Sequence, residues 1–317
     1  MYLEAIQLIA MALLRLIRFP NLLIVALTQG LLYFALLRPV LLRSGVSPVL
    51  TTSQFVLFIL VTVLLTATGY IINDLIDLET DQLNKPDRVI IGRSIPRASA
   101  IRLYVVLGVA GLLLAFYLGL TAGRLALVSL YPLSFSLLLL YSTHLKREAL
   151  LGNIVVALFC GGVAAVIWLA EQSSLHQLFR VDPLPARQVQ TLLIWYTVFA
   201  FLSTLYREII KDMEDAEGDA RTRCQTAPIR WGMATTKIIT GTVGLALLFF
   251  LLWQGWQWRS WFSSWVLLFL FMGLVLPMLI SFYLLAFAKN RQQFHRLSTL
   301  VKVIMLNGLL LILFANL

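Results

Sequence analysis

Read as apolar and polar positions, the chain is a series of uncharged stretches near 20 residues long, divided by short segments that hold most of its charge. The apolar runs lie near 12–37, 54–73, 101–119, 123–143, 152–170, 190–210, 238–256, 262–287 and 299–317. A hydrocarbon core about 30 Å thick takes about 20 apolar helical residues to cross, so each run is a candidate span. Pro20, Pro132 and Pro277 fall inside the first, fourth and eighth runs and are expected to kink or interrupt them. Membrane helices tolerate such breaks where neighbouring helices satisfy the freed backbone groups. The pattern predicts an all-α polytopic membrane protein with nine transmembrane helices.

The polar segments are unequal. Asn73-Asp74-Leu-Ile-Asp77-Leu-Glu-Thr-Asp81 closes the second run, with its acids three and then four residues apart. The same spacing returns at Asp212, Asp215 and Asp219, after the sixth run. On a helix this spacing puts three carboxylates on one stripe. Of the 15 Asp and Glu residues, 11 lie in these two clusters, so the stripes are not scattered surface charge. Their positions predict one domain over 1–317, built as two four-helix halves and a ninth helix around a central cavity. The first half covers about 10–145 with its motif at 73–88. The second covers about 150–288 with its motif at 207–219, and the ninth helix is about 299–317.

Composition agrees with the pattern. Hydrophobic residues make up 60% of the chain and charged ones 13%, against about 45–50% and about 25% in soluble domains. The net charge of +10 does not point to nucleic acid, because its positions follow the membrane. With a cytoplasmic N-terminus, only Arg38, Arg43, Arg124, Arg180, Arg187 and Arg259 lie outside, and the other Lys and Arg lie inside. Both acidic stripes then sit at the cytoplasmic mouth. Cys160 and Cys224 fall in different segments and are not expected to pair or to bind metal. The first apolar run follows Glu4 rather than a basic segment, and it is read as retained.

Spans two and six run from outside to inside, so each stripe is expected at a helix C-terminus, the negative end of the helix dipole. Carboxylates stacked there repel one another, and a bound divalent cation relieves both problems. Oxygen ligands without a His or Cys set point to Mg²⁺ rather than zinc. Mg²⁺ shares its coordination with substrate phosphates, and basic residues lie nearby. Asn84-Lys85-Pro86-Asp87-Arg88 follows the first stripe, Arg207 and Lys211 open the second on one helix face, and Lys146-Arg147 follows the fourth span. Taken singly each is a positive-inside anchor; together they can hold a diphosphate. His144, His176 and His295 lie in separate segments without ligand spacing and are read as interface or loop residues. Trp253, Trp256, Trp258, Trp261 and Trp265 are read as an interfacial belt, and Gly161-Gly162 as a point of close helix packing.

Asn73-Asp74-x-x-Asp77-x-x-x-Asp81 followed by Asn84-Lys85-Pro86-x-Arg88 resembles the first motif of the UbiA superfamily of intramembrane prenyltransferases. Arg207-Glu-Ile-Ile-Lys211-Asp212-x-x-Asp215-x-x-Gly218-Asp219 resembles the second, most of all in the branch that includes digeranylgeranylglyceryl phosphate synthases. The nine-span layout is similar too, so the resemblance covers essentially the whole chain. One departure is Arg88-Val-Ile-Ile-Gly-Arg93, where many members have Arg-Pro and a Ser-Gly pair.

The resemblance implies two Mg²⁺ ions bridging the diphosphate of a polyprenyl donor, with metal and cationic side chains stabilising the leaving group. It implies Asp77, Asp81, Asp215 and Asp219 as principal ligands, with Asn73, Asp74 and Asp212 as alternates or supports. Lys211 is expected at the reacting diphosphate. Asn21, Lys85, Arg88, Lys146 and Arg207 are expected to bind substrate, Asn21 also being open to a role in helix packing. The partners implied are the donor, a lipophilic or lipid-phosphate acceptor and membrane lipids. Geranylgeranyl transfer to geranylgeranylglyceryl phosphate is the leading expectation. Prenylation of a hydroxybenzoate, naphthoate or hydroquinone acceptor is the alternative, and a cation or solute transporter is a reading from another class.

Overall fold

The computed structural model describes residues 2–84, 89–221 and 224–314. Among these the regular elements are helical: α1 (Tyr2–Leu16), α2 (Phe19–Gly30), α3 (Arg38–Arg43), α4 (Thr52–Ile76), α5 (Leu78–Asn84), α6 (Arg97–Thr121), α7 (Leu125–Val128) and α8 (Leu130–Thr143). There follow α9 (Leu151–Ala170), α10 (Gln172–Val181), α11 (Pro183–Arg221), α12 (Ala227–Trp258), α13 (Ser264–Leu270), α14 (Leu276–Phe287) and α15 (Arg291–Phe314). Wider π-helical turns cover Leu31–Leu37 and Phe271–Val275.

Eight helical stretches among the described residues are long and apolar enough to cross a membrane. The fourth expected run is divided into α7 and α8. At 14 residues, α8 is about 21 Å long, short of a full crossing. The first run also breaks, between α1 and α2, where Arg18 takes a left-handed φ of 50° and Pro20 stands in the first turn of α2.

The chain divides into two compact units, the first being Met1–Gly30, Pro48–Leu145 and Leu169–Glu171. Here α4 packs against α2, α6 and α8. A capping box starts α4: Thr51 Oγ1 accepts Gln54 N–H, and Gln54 Oε1 accepts Thr51 N–H. The preceding turn is held by Glu171, fully buried, whose carboxylate accepts Val49 N–H at 2.8 Å and Leu50 N–H at 2.9 Å. Side-chain hydrogen bonds register α2 against α4: Gln29 Nε2 donates to Thr62 Oγ1 at 3.2 Å and Asn21 Nδ2 to Tyr70 OH at 3.1 Å. Such bonds tie helices together where lipid supplies no hydrophobic drive. At one end of α4, Ala12 and Leu16 of α1 join Ile71, Ile91, Ile95 and Ala100 in a closed apolar cluster.

The second unit is Leu31–Ser47, Lys146–Trp168 and Gln172–Leu317. Its axis is α11, whose 39 residues give about 58 Å of helix, far more than a bilayer core. It packs against α10, α12 and α15. Trp195 is stacked on Phe199 at 4.8 Å and meets Trp258 at 5.1 Å. Trp258 is buried, so it leaves the expected belt, while Trp253, Trp256 and Trp265 remain exposed. Gly161 permits a tight crossing, since a Cβ there would stand 2.8 Å from Thr197 O. Pro277 lacks the N–H that would bond Gly273 O in an α-helix. Asn307 Nδ2 of α15 donates to that carbonyl at 2.9 Å, which is how this break is satisfied inside the membrane.

Candidate functional site

In the first unit, Asn73 and Asp74 occupy the last turn of α4, and Asp77 ends it with φ −83° and ψ −3°. Asp77 N–H donates to Asn73 O at 2.9 Å and Asp81 N–H to Asp77 O at 2.8 Å. Helical hydrogen bonding therefore runs through the break, and the three carboxylates keep their turn-by-turn spacing. One consequence differs from the sequence expectation. Asp81 lies in the first turn of the seven-residue α5 rather than at the carbonyl end of α4, and its N–H is already taken by Asp77 O.

All four of these side chains are half-buried. The Arg18 guanidinium donates to Asp74 Oδ1 at 3.0 Å and lies over the Tyr70 ring at 4.6 Å. Asn21 donates to the same tyrosine's hydroxyl. Arg18 thus reaches the first motif from the α1–α2 break, and Asn21 of α2 meets Tyr70 one turn before Asp74. Lys85 and Arg88 lie outside the described residues.

In the second unit, α11 runs unbroken through the motif to Arg221. Asp212 is not at a helix end, whereas Asp219 is in the last turn. Asn153 Nδ2, at the start of α9, donates to Asp212 Oδ2 at 2.9 Å. Thr226 Oγ1 donates to Asp219 Oδ2 at 3.0 Å, and Cys224 N–H to Asp219 O at 3.2 Å, so the chain leaving α11 folds back on its last acid.

Glu208 takes Arg207 at 2.8 Å and Lys211 at 3.8 Å, so the two cations share one carboxylate. Arg207 Nε is buried without a protein acceptor among the described residues, a donor direction left for something else. Lys146 sits in the tight turn before α9, and Gln225 N–H donates to the neighbouring Arg147 O at 2.9 Å. The same unit brings α15 to the motif: His295 Nδ1 is 2.9 Å from Glu214 Oε1 and Arg291 4.0 Å from Asp215 Oδ1.

Sequence reasoning missed five of these residues. Arg18 carries in the sequence only the signal of a basic residue on the cytoplasmic side. Asn153 had a visible signal, a lone amide opening an apolar span. Glu208 stands inside the acidic cluster, and its contact with Lys211 follows from i,i+3 spacing while that with the adjacent Arg207 does not. Arg291 and His295 carry no motif, because only tertiary packing brings α15 to α11.

Among the described residues, no three His, Cys, Asp or Glu side chains converge on a point where a metal ion could be held. The motif side chains are carboxylates and an amide, all of them oxygen donors. That fits Mg²⁺, which takes one or two carboxylates, keeps several waters and completes its shell with substrate phosphates. It does not fit a closed structural zinc site.

Fold and motifs define a multi-pass α-helical membrane protein carrying two acidic motifs of one design. The chain belongs to the UbiA prenyltransferase family, whose model matches residues 31–303. It is 35% identical over 199 residues to digeranylgeranylglyceryl phosphate synthase of Sulfolobus acidocaldarius, an alignment covering 63% of this chain and 65% of that protein. The chain thus spans a little under two thirds of that relative's length. A solved structure concerning digeranylgeranylglyceryl phosphate synthase superposes with a TM-score of 0.67 at 21% identity, covering 97% of this chain and 98% of the other. A UbiA homolog from Archaeoglobus fulgidus bound to GPP and Mg²⁺ superposes with a TM-score of 0.52 at 14% identity, over 95% of this chain and 99% of that one.

Proposed function

We propose that the protein is a Mg²⁺-dependent prenyltransferase that moves a geranylgeranyl group from its diphosphate to the free hydroxyl of geranylgeranylglyceryl phosphate. The observation that carries this reading is the repeated 3+4 acidic motif in a chain of this family. The likeness to a digeranylgeranylglyceryl phosphate synthase supports this acceptor over an aromatic one. The Mg²⁺ and GPP bound by a homolog of the same fold support the metal and the diphosphate class.

In this reading both motifs act on one diphosphate. Asp77, Asp81, Asp215 and Asp219 hold Mg²⁺, with Asn73, Asp74 and Asp212 beside them. When bound, the metal supplies positive charge against the departing diphosphate. Lys211, Arg207 and Lys146 add charge-assisted hydrogen bonds, and Lys85 and Arg88 do the same from the first motif. Arg207 Nε, buried without a protein acceptor, is a natural donor to a phosphate oxygen. The acceptor oxygen forms a bond to C1 of the donor as the bond from C1 to the diphosphate oxygen breaks. The electron pair leaves with the diphosphate, which also takes the acceptor's proton. Asn21, joined to Tyr70, lies one helical turn into the span from Asp74 and faces the prenyl chain near its reacting end.

The same reading takes the whole chain, 1–317, as one domain with nine crossings. The broken segment α7–α8 is the fourth crossing, and the layout is two four-helix halves and a ninth helix. The N-terminus and both motifs are cytoplasmic, as the distribution of Lys and Arg supports.

The test is purified protein in lipid with radiolabelled geranylgeranyl diphosphate, Mg²⁺ and a panel of acceptors. A labelled diether phosphate formed only with metal is the expected product. Diphosphate release without a prenylated product would replace transfer by hydrolysis or cyclisation. Label in an aromatic acceptor would move the protein to quinone biosynthesis.

A further inference from the structure

Outside both motifs, the start of α15 is built to hold two basic side chains against α11. Asn290 Oδ1 accepts Gln293 N–H at 3.0 Å, and Gln293 Oε1 accepts Asn290 N–H at 3.3 Å. The reciprocal pair fixes the first turn of a 24-residue helix. Phe294 is buried beneath it, and the Lys237 ammonium stands 5.9 Å from that ring while donating to Ala288 O at the end of α14. From this fixed turn His295 reaches Glu214 at 2.9 Å and Arg291 reaches Asp215 at 4.0 Å.

The Arg291 side chain is 60% exposed and Asp215 is 28% exposed. A guanidinium carries five N–H donors in a planar fork, and a carboxylate oxygen 4.0 Å away pairs with its charge without a hydrogen bond. The exposed guanidinium stands beside a carboxylate assigned above to Mg²⁺. A cation so placed gains a stronger partner when a phosphate arrives, because arginine pairs with phosphate oxygens through two parallel hydrogen bonds.

We propose that Arg291 is a diphosphate-binding residue of the second motif, contributed by α15, with His295 as a positioning residue that anchors α15 on Glu214. The proposal deepens the prenyltransferase reading and rests on it for the identity of the anion. It assigns the last helix a part in donor binding, although that helix carries neither acidic motif.

The test uses the full-length protein in lipid, with Mg²⁺ and inorganic pyrophosphate as the probe, read by calorimetry and as competition against the donor. Arg291→Ala is expected to weaken pyrophosphate binding roughly tenfold or more, the effect of losing a hydrogen bond to a charged group. Arg291→Lys is expected to recover part of that loss, and the melting temperature is expected to stay within a few degrees of wild type for both. His295→Ala is expected to weaken binding less, and His295→Gln, which keeps a hydrogen-bonding group toward Glu214, to restore it. In turnover, Arg291→Ala is expected to raise the donor KM with a smaller change in kcat. Unchanged pyrophosphate affinity in Arg291→Ala overturns the proposal. So does a loss of affinity that Arg291→Lys does not recover at all. Pyrophosphate binding that depends on Arg291 in a protein that transfers no prenyl group would leave this site standing while removing the prenyltransferase reading.

Discussion

Asp74 and Asp212 hold the same place in two motifs of one spacing, yet their partners differ in charge. Asp74 meets the Arg18 guanidinium from the turn before α2, while Asp212 meets the neutral Asn153 amide from α9. The far ends differ too. Asp81 lies in the first turn of a separate short helix, α5, whereas Asp219 lies in the last turn of the unbroken α11. The first motif therefore has a protein cation on its first acid, and its last acid stands past the carbonyl end of the long helix. The second has an uncharged hydrogen bond at its first acid and the negative end of a helix at its last. Its cations stand on its other acids, Arg207 and Lys211 at Glu208 and Arg291 at 4.0 Å from Asp215. Among the described residues, equal spacing has been kept with unequal partners, an ion pair at one first acid and a neutral amide at the other.

The largest effect that can break this comparison is loss of a central acid. Asp215→Asn and Asp77→Asn are each expected to lower the rate at saturating donor by about 10²–10³, the usual cost of removing a group that stabilises developing charge. A variant of either that keeps wild-type rates removes its motif from the reaction. The next effect sharpens the asymmetry. Asn153→Ala is expected to weaken Mg²⁺ affinity about 10–100-fold, as loss of a residue that orients a ligand commonly does. It would be read as a rise in the Mg²⁺ concentration giving half-maximal rate. Arg18→Gln is expected to leave that concentration unchanged or lower it, because the Arg18 cation competes with metal for Asp74. A larger rise for Arg18→Gln than for Asn153→Ala would invert the comparison.

Two smaller effects concern stability. Thr226→Val removes the hydrogen bond to Asp219 and is expected to cost about 1 kcal/mol by thermal or denaturant unfolding in detergent. Arg18→Gln is expected to cost less than about 1 kcal/mol, since its ion pair is partly exposed and screened by solvent. A loss of several kcal/mol in Arg18→Gln would show that the pair holds the α1–α2 break together rather than only balancing charge.

Much of this was legible in the sequence because membranes impose strong rules on it. Apolar runs near span length and the crowding of acids into two segments marked the fold class and both motifs. What the sequence hid depends on contacts far apart along the chain. Pro277 announced a break, but nothing local said that Asn307 would satisfy the freed Gly273 carbonyl. Pro20 pointed to a kink, while the turn itself falls at Arg18, whose left-handed backbone no local pattern announces. Trp258 shared its interval with exposed tryptophans and yet turns inward onto Trp195. Glu208 is visible as an acid and its i,i+3 spacing to Lys211 is legible, but its pairing with the adjacent Arg207 is not a spacing that a helix predicts.

The central claim is that both acidic motifs serve one diphosphate. Its most direct test is Mg²⁺-dependent turnover of radiolabelled geranylgeranyl diphosphate by Asp77→Asn, Asp215→Asn and the double variant, in the same lipid and at matched protein. Groups that act as a unit lose activity together rather than in proportion. The expected result is a loss of about 10² or more for each single variant, with the double falling little further. A double variant that loses the product of the two single effects would make the motifs independent and contradict the claim.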